Sequence, residues 1–293
     1  MTSSKRPADL EITARSPQFE LLPALRKNRY WLGGDPVLSH FVNALQSIFP
    51  EGERMFIDAA RGVSVKVGED KLPPQLRADL KAFIRQEGWH GKQHGGWNDA
   101  LVELGYGQMA YYAEQLKRER IWADKHMSPM LRLAMTAAAE HMTASLVQLF
   151  MHTNLLDQAD RPVAELLAWH ALEETEHKAV CFDLYQFAGG GYLLRSLTLL
   201  LEWFDIAIHT HLRYRYLMKA DGLWNWKMRW RTLRDIWGPR GMMGKMTGLM
   251  WRYLKPGFHP WDLDDRADFR RRYAHLLEGL SDAPPAPSTS AVS

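Results

Sequence analysis

A histidine, a glutamate and a second histidine recur four and three residues apart in His170-Ala-Leu-Glu-Glu174-Thr-Glu-His177. On a helix these spacings place all three side chains on one face within two turns, where they can converge on a metal ion. Upstream, Glu87 and His90 form a second Glu-x-x-His pair, and His94 follows one turn later. Single glutamates, Glu53 and Glu140, precede the two pairs, so the chain order is Glu, Glu-x-x-His, Glu, Glu-x-x-His. One such group on each of four helices is the ligand set of a di-metal carboxylate bundle.

The donor types suit redox metals. Carboxylate oxygens stabilise a higher oxidation state, and one or two neutral imidazoles per metal leave positions open for oxygen or water. Two ions are expected, with iron the first choice and manganese and zinc as alternatives. The expected ligands are Glu53, Glu87, His90, Glu140, His170, Glu174 and His177. Two Glu-x-x-His matches fall within what composition alone yields, so the weight rests on their helical context. Glu140, flanked on its face by Thr136, Ala137, Thr143 and Ala144, is costly to bury unless paired or metal-bound. The competing interpretation is a structural Glu/His network in a helical core.

Several positions compete. Glu173 lies close to the face of Glu174, and Glu51 rivals Glu53; each is otherwise a candidate to support a ligand from outside. His94 fits an extra ligand, a hydrogen-bonding support for a ligand or a polar rim residue, with the supporting role preferred. Cys181, one turn beyond His177, reads first as a small buried core residue.

The elements that must hold these residues read as all-α. Apolar periodicity predicts helices over residues 36–49 and 54–61, interrupted by Pro50-Glu51-Gly52-Glu53. Pro73-Pro74 opens a helix through Glu87 that Gly95-Gly96 breaks, and the next covers about 97–122. Ser128-Pro129 caps a helix running to about 152. Pro162 starts the His170–His177 helix, which Gly189-Gly190-Gly191 stops. A long helix follows over about 192–218, then short helices and turns over 220–262. Residues 1–18 read as a mobile lead-in, 19–190 as the metal-binding bundle, 191–280 as a helical extension and 281–293 as a disordered Pro/Ser/Ala tail.

Bulk properties narrow the classes. The 293 residues are 46% hydrophobic and 24% charged, ordinary for a globular protein. A net charge of +3 gives no case for nucleic acid, and a single cysteine excludes an intramolecular disulfide framework. No signal peptide and no membrane span are visible, because Arg195, Glu202 and Asp205 interrupt the best apolar stretch. Cytoplasmic location is therefore the expectation. Between Arg213 and Lys255, Lys and Arg far outnumber Asp and are interleaved with five Trp and six Met. This pattern suits either peripheral contact with the inner membrane face or a covering of the bundle that lines an apolar channel, and the covering is preferred for the Trp and Met residues.

At the ligand residues the chain resembles the bacterial family of predicted metal-dependent hydrolases. The resemblance rests on Tyr30-Trp-Leu-Gly-Gly-Asp-Pro36, Phe49-Pro-Glu-Gly-Glu53, Gln86-Glu-Gly-Trp-His90 with His94, Glu140, and Glu173-Glu174-Thr-Glu-His177-Lys, over about residues 25–190. Pro256-Gly-Phe-His-Pro-Trp261 is a further signature. The ligand pattern looks like that of ferritin-like di-iron oxygenases, and His170-x-x-x-Glu174-x-x-His177 is similar to the three-histidine arrangement of the arylamine N-oxygenases. The resemblance implies a ferritin-like bundle and a di-metal site. Expected activities are oxygen-dependent oxidation of an apolar or aromatic small molecule, hydrolysis by a metal-bridged water, or metal binding without catalysis. Candidate partners are that small molecule, an electron-donor protein and a second copy of the chain.

Overall fold

The computed structural model describes residues 5–280. Among these residues the chain is all-α, with no strand beyond an isolated bridge between Leu32 and Ala159. Helices α1 (Leu21–Lys27) and α2 (Pro36–Gln46) lead into four elements that surround the centre. These are α3 (Phe49–Val67), α4 (Pro74–Glu103), α6 (Pro129–Met151), and α7 (Arg161–His177) continued by α8 (Val180–Phe187). α3 packs on α4 and α6, α6 packs on α7 and α8, and α4 closes the ring against α7 and α8. This arrangement is compatible with the expected ferritin-like bundle.

Local chemistry explains where the helices start. The Asp35 carboxylate accepts from the Val37 amide at 2.8 Å. The Ser128 hydroxyl accepts from the Leu131 amide at 3.2 Å. Each cap stands ahead of a proline at the first helical position. Pro50 acts the same way. It does not interrupt a helix, as expected from sequence, but sits in the first turn of α3, where its missing N–H has no intrahelical partner to lose. Glu51 and Glu53 are therefore both helical.

A second correction concerns α4, which runs unbroken through Gly95-Gly96 to Glu103. Two interior glycines cost about 2 kcal/mol of helix propensity. Trp97 and Leu101 are buried on the same face. Their burial outweighs that cost, at roughly 1.5–3 kcal/mol for each large apolar side chain. The chain turns instead at Gly105, whose φ of +100° suits glycine. α5 (Gln108–His126) then packs on α3, α4 and the later helix α9 (Tyr192–Ala220).

The helix carrying His177 ends there, earlier than the glycine triplet predicted. Lys178 caps it with its amide still bonded to Glu174 O, while its ammonium group bonds Leu263 O at 2.7 Å and Asp265 at 2.8 Å. α9 (Tyr192–Ala220) lies along α2 and α6. Beyond it come α10 (Trp226–Thr232), a π-helical turn over Leu233–Trp237, α11 (Met242–Met250), α12 (Arg266–Arg272) and α13 (Ala274–Leu277).

Residues 5–18 are not the mobile lead-in expected. Leu10, Ala14 and Arg15 are buried, and Arg6 pairs with Asp79 at 2.7 Å. The expected disordered tail, 281–293, lies outside the described residues, as do residues 1–4. No helix among the described residues is long and apolar enough to cross a membrane.

Candidate metal centre

All seven expected ligand side chains meet inside the ring and are almost fully buried. α3 supplies Glu53, α4 supplies Glu87 and His90, α6 supplies Glu140, and α7 supplies His170, Glu174 and His177. Donor atoms of Glu87, His90, Glu174 and His177 lie within 4.8 Å of one another, as do those of Glu53, His90 and His170. Glu140 joins the first group through its Oε2, 3.4 Å from His177 Nε2. His177 Nε2 also lies 3.1 Å from Glu87 Oε1, and His170 Nε2 lies 2.9 Å from Glu174 Oε1.

Each histidine is held from outside and presents its other nitrogen inward. The His177 Nδ1–H donates to Gln86 Oε1 at 2.8 Å, leaving the Nε2 lone pair inside. The His90 Nε2–H donates to Glu173 Oε2 at 3.0 Å, leaving Nδ1 inside. For His170, Nδ1–H donates to His94 Nε2 at 2.7 Å, while His94 Nδ1–H donates to Gln46 Oε1 at 3.2 Å. These outer partners set all three tautomers, the arrangement metal-binding imidazoles require. Because His90 offers only Nδ1 inward, it can serve one of the two donor groups, not both.

The outer layer is itself anchored. Arg15 Nη1 donates to Glu173 at 3.2 Å, and its Nη2 donates to Glu176 at 2.8 Å. Glu176 accepts from Gln86 Nε2 at 2.9 Å and from Arg270 at 2.6 Å. Thr143 donates its hydroxyl to Glu174 Oε2 at 2.5 Å.

The inward-facing atoms decide what fits. Both oxygens of Glu53, Glu87 and Glu140, together with His90 Nδ1 and His177 Nε2, are buried without a hydrogen-bond partner. Such orphaned carboxylates are strongly disfavoured unless a cation binds them. Burial, with repulsion from Glu87, pushes the Glu53 carboxyl well above its ordinary range; burial with repulsion from Glu174 does the same to Glu140. Burial alone would favour neutral His90, but its bond to Glu173 and the nearby Glu87 carboxylate raise it well above the ordinary histidine range. Burial and the neighbouring His170 keep His94 neutral. Four carboxylates carry four negative charges, and two divalent cations carry four positive ones. The donors present fit a di-metal site, with the cations taking the place of protons.

Two of the residues expected to support ligands lie in bonding contact with the expected ligands. His94 backs His170 and Glu173 backs His90. Glu51 does not, because its carboxylate is held by Arg120 at 2.8 Å. Gln86, Gln46, Glu176, Arg15 and Thr143 were not anticipated in these roles. Their contacts join different helices or distant segments, so no local spacing marks them. Cys181 is fully buried near the centre, and burial followed by repulsion from Glu140 raises its thiol, so it stays protonated.

A cavity of about 400 Å³ reaches the centre at Glu53, His170 and Glu174. Its walls are mostly apolar and rich in methionine, including Met55, Met135, Met142 and Met246. Exposed Glu119, Trp122 and Asp205 also line it, so it opens between α5 and α9. Inside lies Glu202, whose buried carboxyl is pushed up to about 8 by desolvation, with Asp205 adding to the shift. A second, smaller apolar cavity, bounded by Trp31, Leu146 and Phe150, meets the same His170 and Glu174 from another side.

A family model described as "Predicted metal-dependent hydrolase" matches residues 13–264, which spans every residue of the centre. The chain belongs to this family. No curated protein and no solved structure matches it. The match also takes in α9, α10 and α11, so the predicted metal-dependent hydrolases share more than the four helices around the centre.

Proposed function

We propose that the protein is a di-metal oxidase or oxygenase acting on an apolar or aromatic small molecule. The observation that carries this reading is the pairing of a fully buried carboxylate–histidine cluster with a mostly apolar cavity that ends on it. Glu53, Glu87, Glu140 and Glu174 with His90, His170 and His177 would hold two ions, iron first, with Glu87 and Glu174 placed between the two donor groups. Bound there, the ions would supply electrons to dioxygen.

The remaining roles fall to the protein. The Met-lined walls orient an uncharged body and exclude water, which protects an oxidising site from side reactions. Thr143 Oγ1, at the junction of cavity and centre, holds its hydroxyl proton against Glu174 Oε2. Insertion of one oxygen atom into a C–H or N–H bond takes one dioxygen, two further electrons and two protons, and releases one water. No Gly-rich nucleotide fingerprint is present in the sequence, so an electron-donor protein would supply the electron pair.

The family description favours a second reading, hydrolysis of an ester or amide by a water activated between the two ions. The same residues would serve. Anaerobically reduced, iron-loaded protein mixed with oxygenated buffer separates the two, with dissolved oxygen followed by electrode. Consumption stoichiometric with the centre supports the oxidative reading. Oxygen left unconsumed at full metal loading would leave hydrolysis.

A further inference from the structure

We infer that the outer face of α9, with the segment packed beside it, docks on an anionic lipid surface. Leu197, Leu201, Phe204 and Ile208 are each more than half exposed and recur at helical spacing on one face of α9. A buried-core role is ruled out for them, since α2 and α6 occupy the opposite side of the helix.

Residues 224–255 run antiparallel along one flank of this face. Trp224 packs on His211 and Tyr214, Trp237 packs on Trp203, and Tyr192 bonds Leu254 O at 2.6 Å. Here the tryptophans and methionines separate. Met242, Met243, Met246 and Met250 are buried, as a covering of the bundle requires, whereas Trp226, Trp230 and Trp251 point to solvent. Lys227, Arg229, Lys245, Arg252 and Lys255 are exposed among them. The segment's one acid, Asp235, is half-buried and already paired with Arg234 and Arg231. Amphipathic indoles beside exposed cations, bordering an apolar stripe, match the depth profile of a bilayer interface.

The cavity opens on the other flank, between α5 and α9, beside exposed Trp122. Docking would therefore bring its mouth to the lipid, and the substrate would be an apolar molecule dissolved in the bilayer. The lipid-borne substrate rests on the proposed metal centre; the docking itself does not.

Flotation of the full chain with phosphatidylcholine vesicles, with and without phosphatidylglycerol, tests the inference at about 0.05 M and about 0.5 M sodium chloride. Binding is expected only with phosphatidylglycerol and low salt. Leu201→Ser with Phe204→Ser should weaken it at least tenfold, and each of Lys227→Glu and Arg229→Glu about fivefold or more, with circular dichroism and metal content unchanged. Wild-type protein that fails to float under the favourable condition would overturn the inference. So would a dimer in light scattering that the Leu201→Ser/Phe204→Ser variant converts to monomer, because a second copy would then cover the face. Repeating the flotation after chelation keeps the two readings apart. Persistent flotation of protein that never binds metal would sink the centre alone, and metal-replete protein that stays unbound would sink the docking alone.

Discussion

At the centre of the bundle Glu53, Glu87 and Glu140 lie buried with no hydrogen-bond partner, while on the outer face of α9 Leu201, Phe204 and Ile208 stand in solvent. Each region reverses the usual relation between polarity and water, and each implies a missing partner. The energetic consequences differ. An unpaired buried carboxylate costs several kcal/mol, and three of them rival the whole stability of a domain, about 5–15 kcal/mol. These exposed apolar side chains only forgo about 1.5–3 kcal/mol each of burial that folding never required. The interior therefore calls for bound cations, whereas the exterior is stable alone and merely prone to associate.

The comparison predicts a graded series of effects. Removing metal with a chelator should lower unfolding free energy by about 3–5 kcal/mol or more, read by denaturant titration at fixed pH. Equal stability with and without chelator would show that the carboxylates are satisfied some other way.

Glu202 makes a smaller interior test. Its folded-state value of about 8 lies above the ordinary 4.5, so folding retains a proton the unfolded chain releases. Its contribution is thus intact below about pH 4.5 and is lost as pH rises to about 8. Glu202→Gln has no such proton, so the variant should match wild type near pH 4.5 and exceed it by a few kcal/mol above pH 8, at about 1.4 kcal/mol per unit. A gap that stays flat with pH would contradict the burial of a neutral carboxyl.

Gln86→Ala removes the acceptor that orients His177. Metal affinity should fall about 10- to 100-fold by competition with a chelator, while saturating metal still fills the site. Unchanged affinity would mean that Gln86 does not set the ring. The smallest effect belongs to the exterior. Phe204→Ser should change stability by about 0.5 kcal/mol or less. Leu166, by contrast, is fully buried in the core of α7, and Leu166→Ala should cost about 2–5 kcal/mol. Comparable losses at both positions in thermal or denaturant unfolding would show that the α9 face is part of the fold.

The clustering of these side chains was legible because helix geometry converts spacing into position. Glu87 and His90, or His170, Glu174 and His177, share a face whatever the tertiary structure. The order of the four groups along the chain then named the bundle. Beyond His94 and Glu173, what holds those side chains was not legible. Arg15 reaches Glu173 and Glu176 from the far end of the chain, and Gln86 meets His177 only because α4 packs on α7. The misplaced boundaries have the same origin. Gly95-Gly96 and Pro50 are locally unfavourable or ambiguous, and tertiary burial of Trp97 and a first-turn position for Pro50 decide them. Gly91 illustrates the point from the other side. A Cβ there would sit 3.3 Å from Glu53 Oε2, so the absent side chain clears room beside a ligand that lies on a different helix.

Two metal ions are expected in this buried cluster. Metal analysis of the protein purified without added metal, set beside His177→Ala and Glu140→Ala, tests this most directly. Two ions per chain in wild type, with stoichiometric binding of the pair abolished in both variants, is the predicted result. Metal content unchanged in both variants would contradict it.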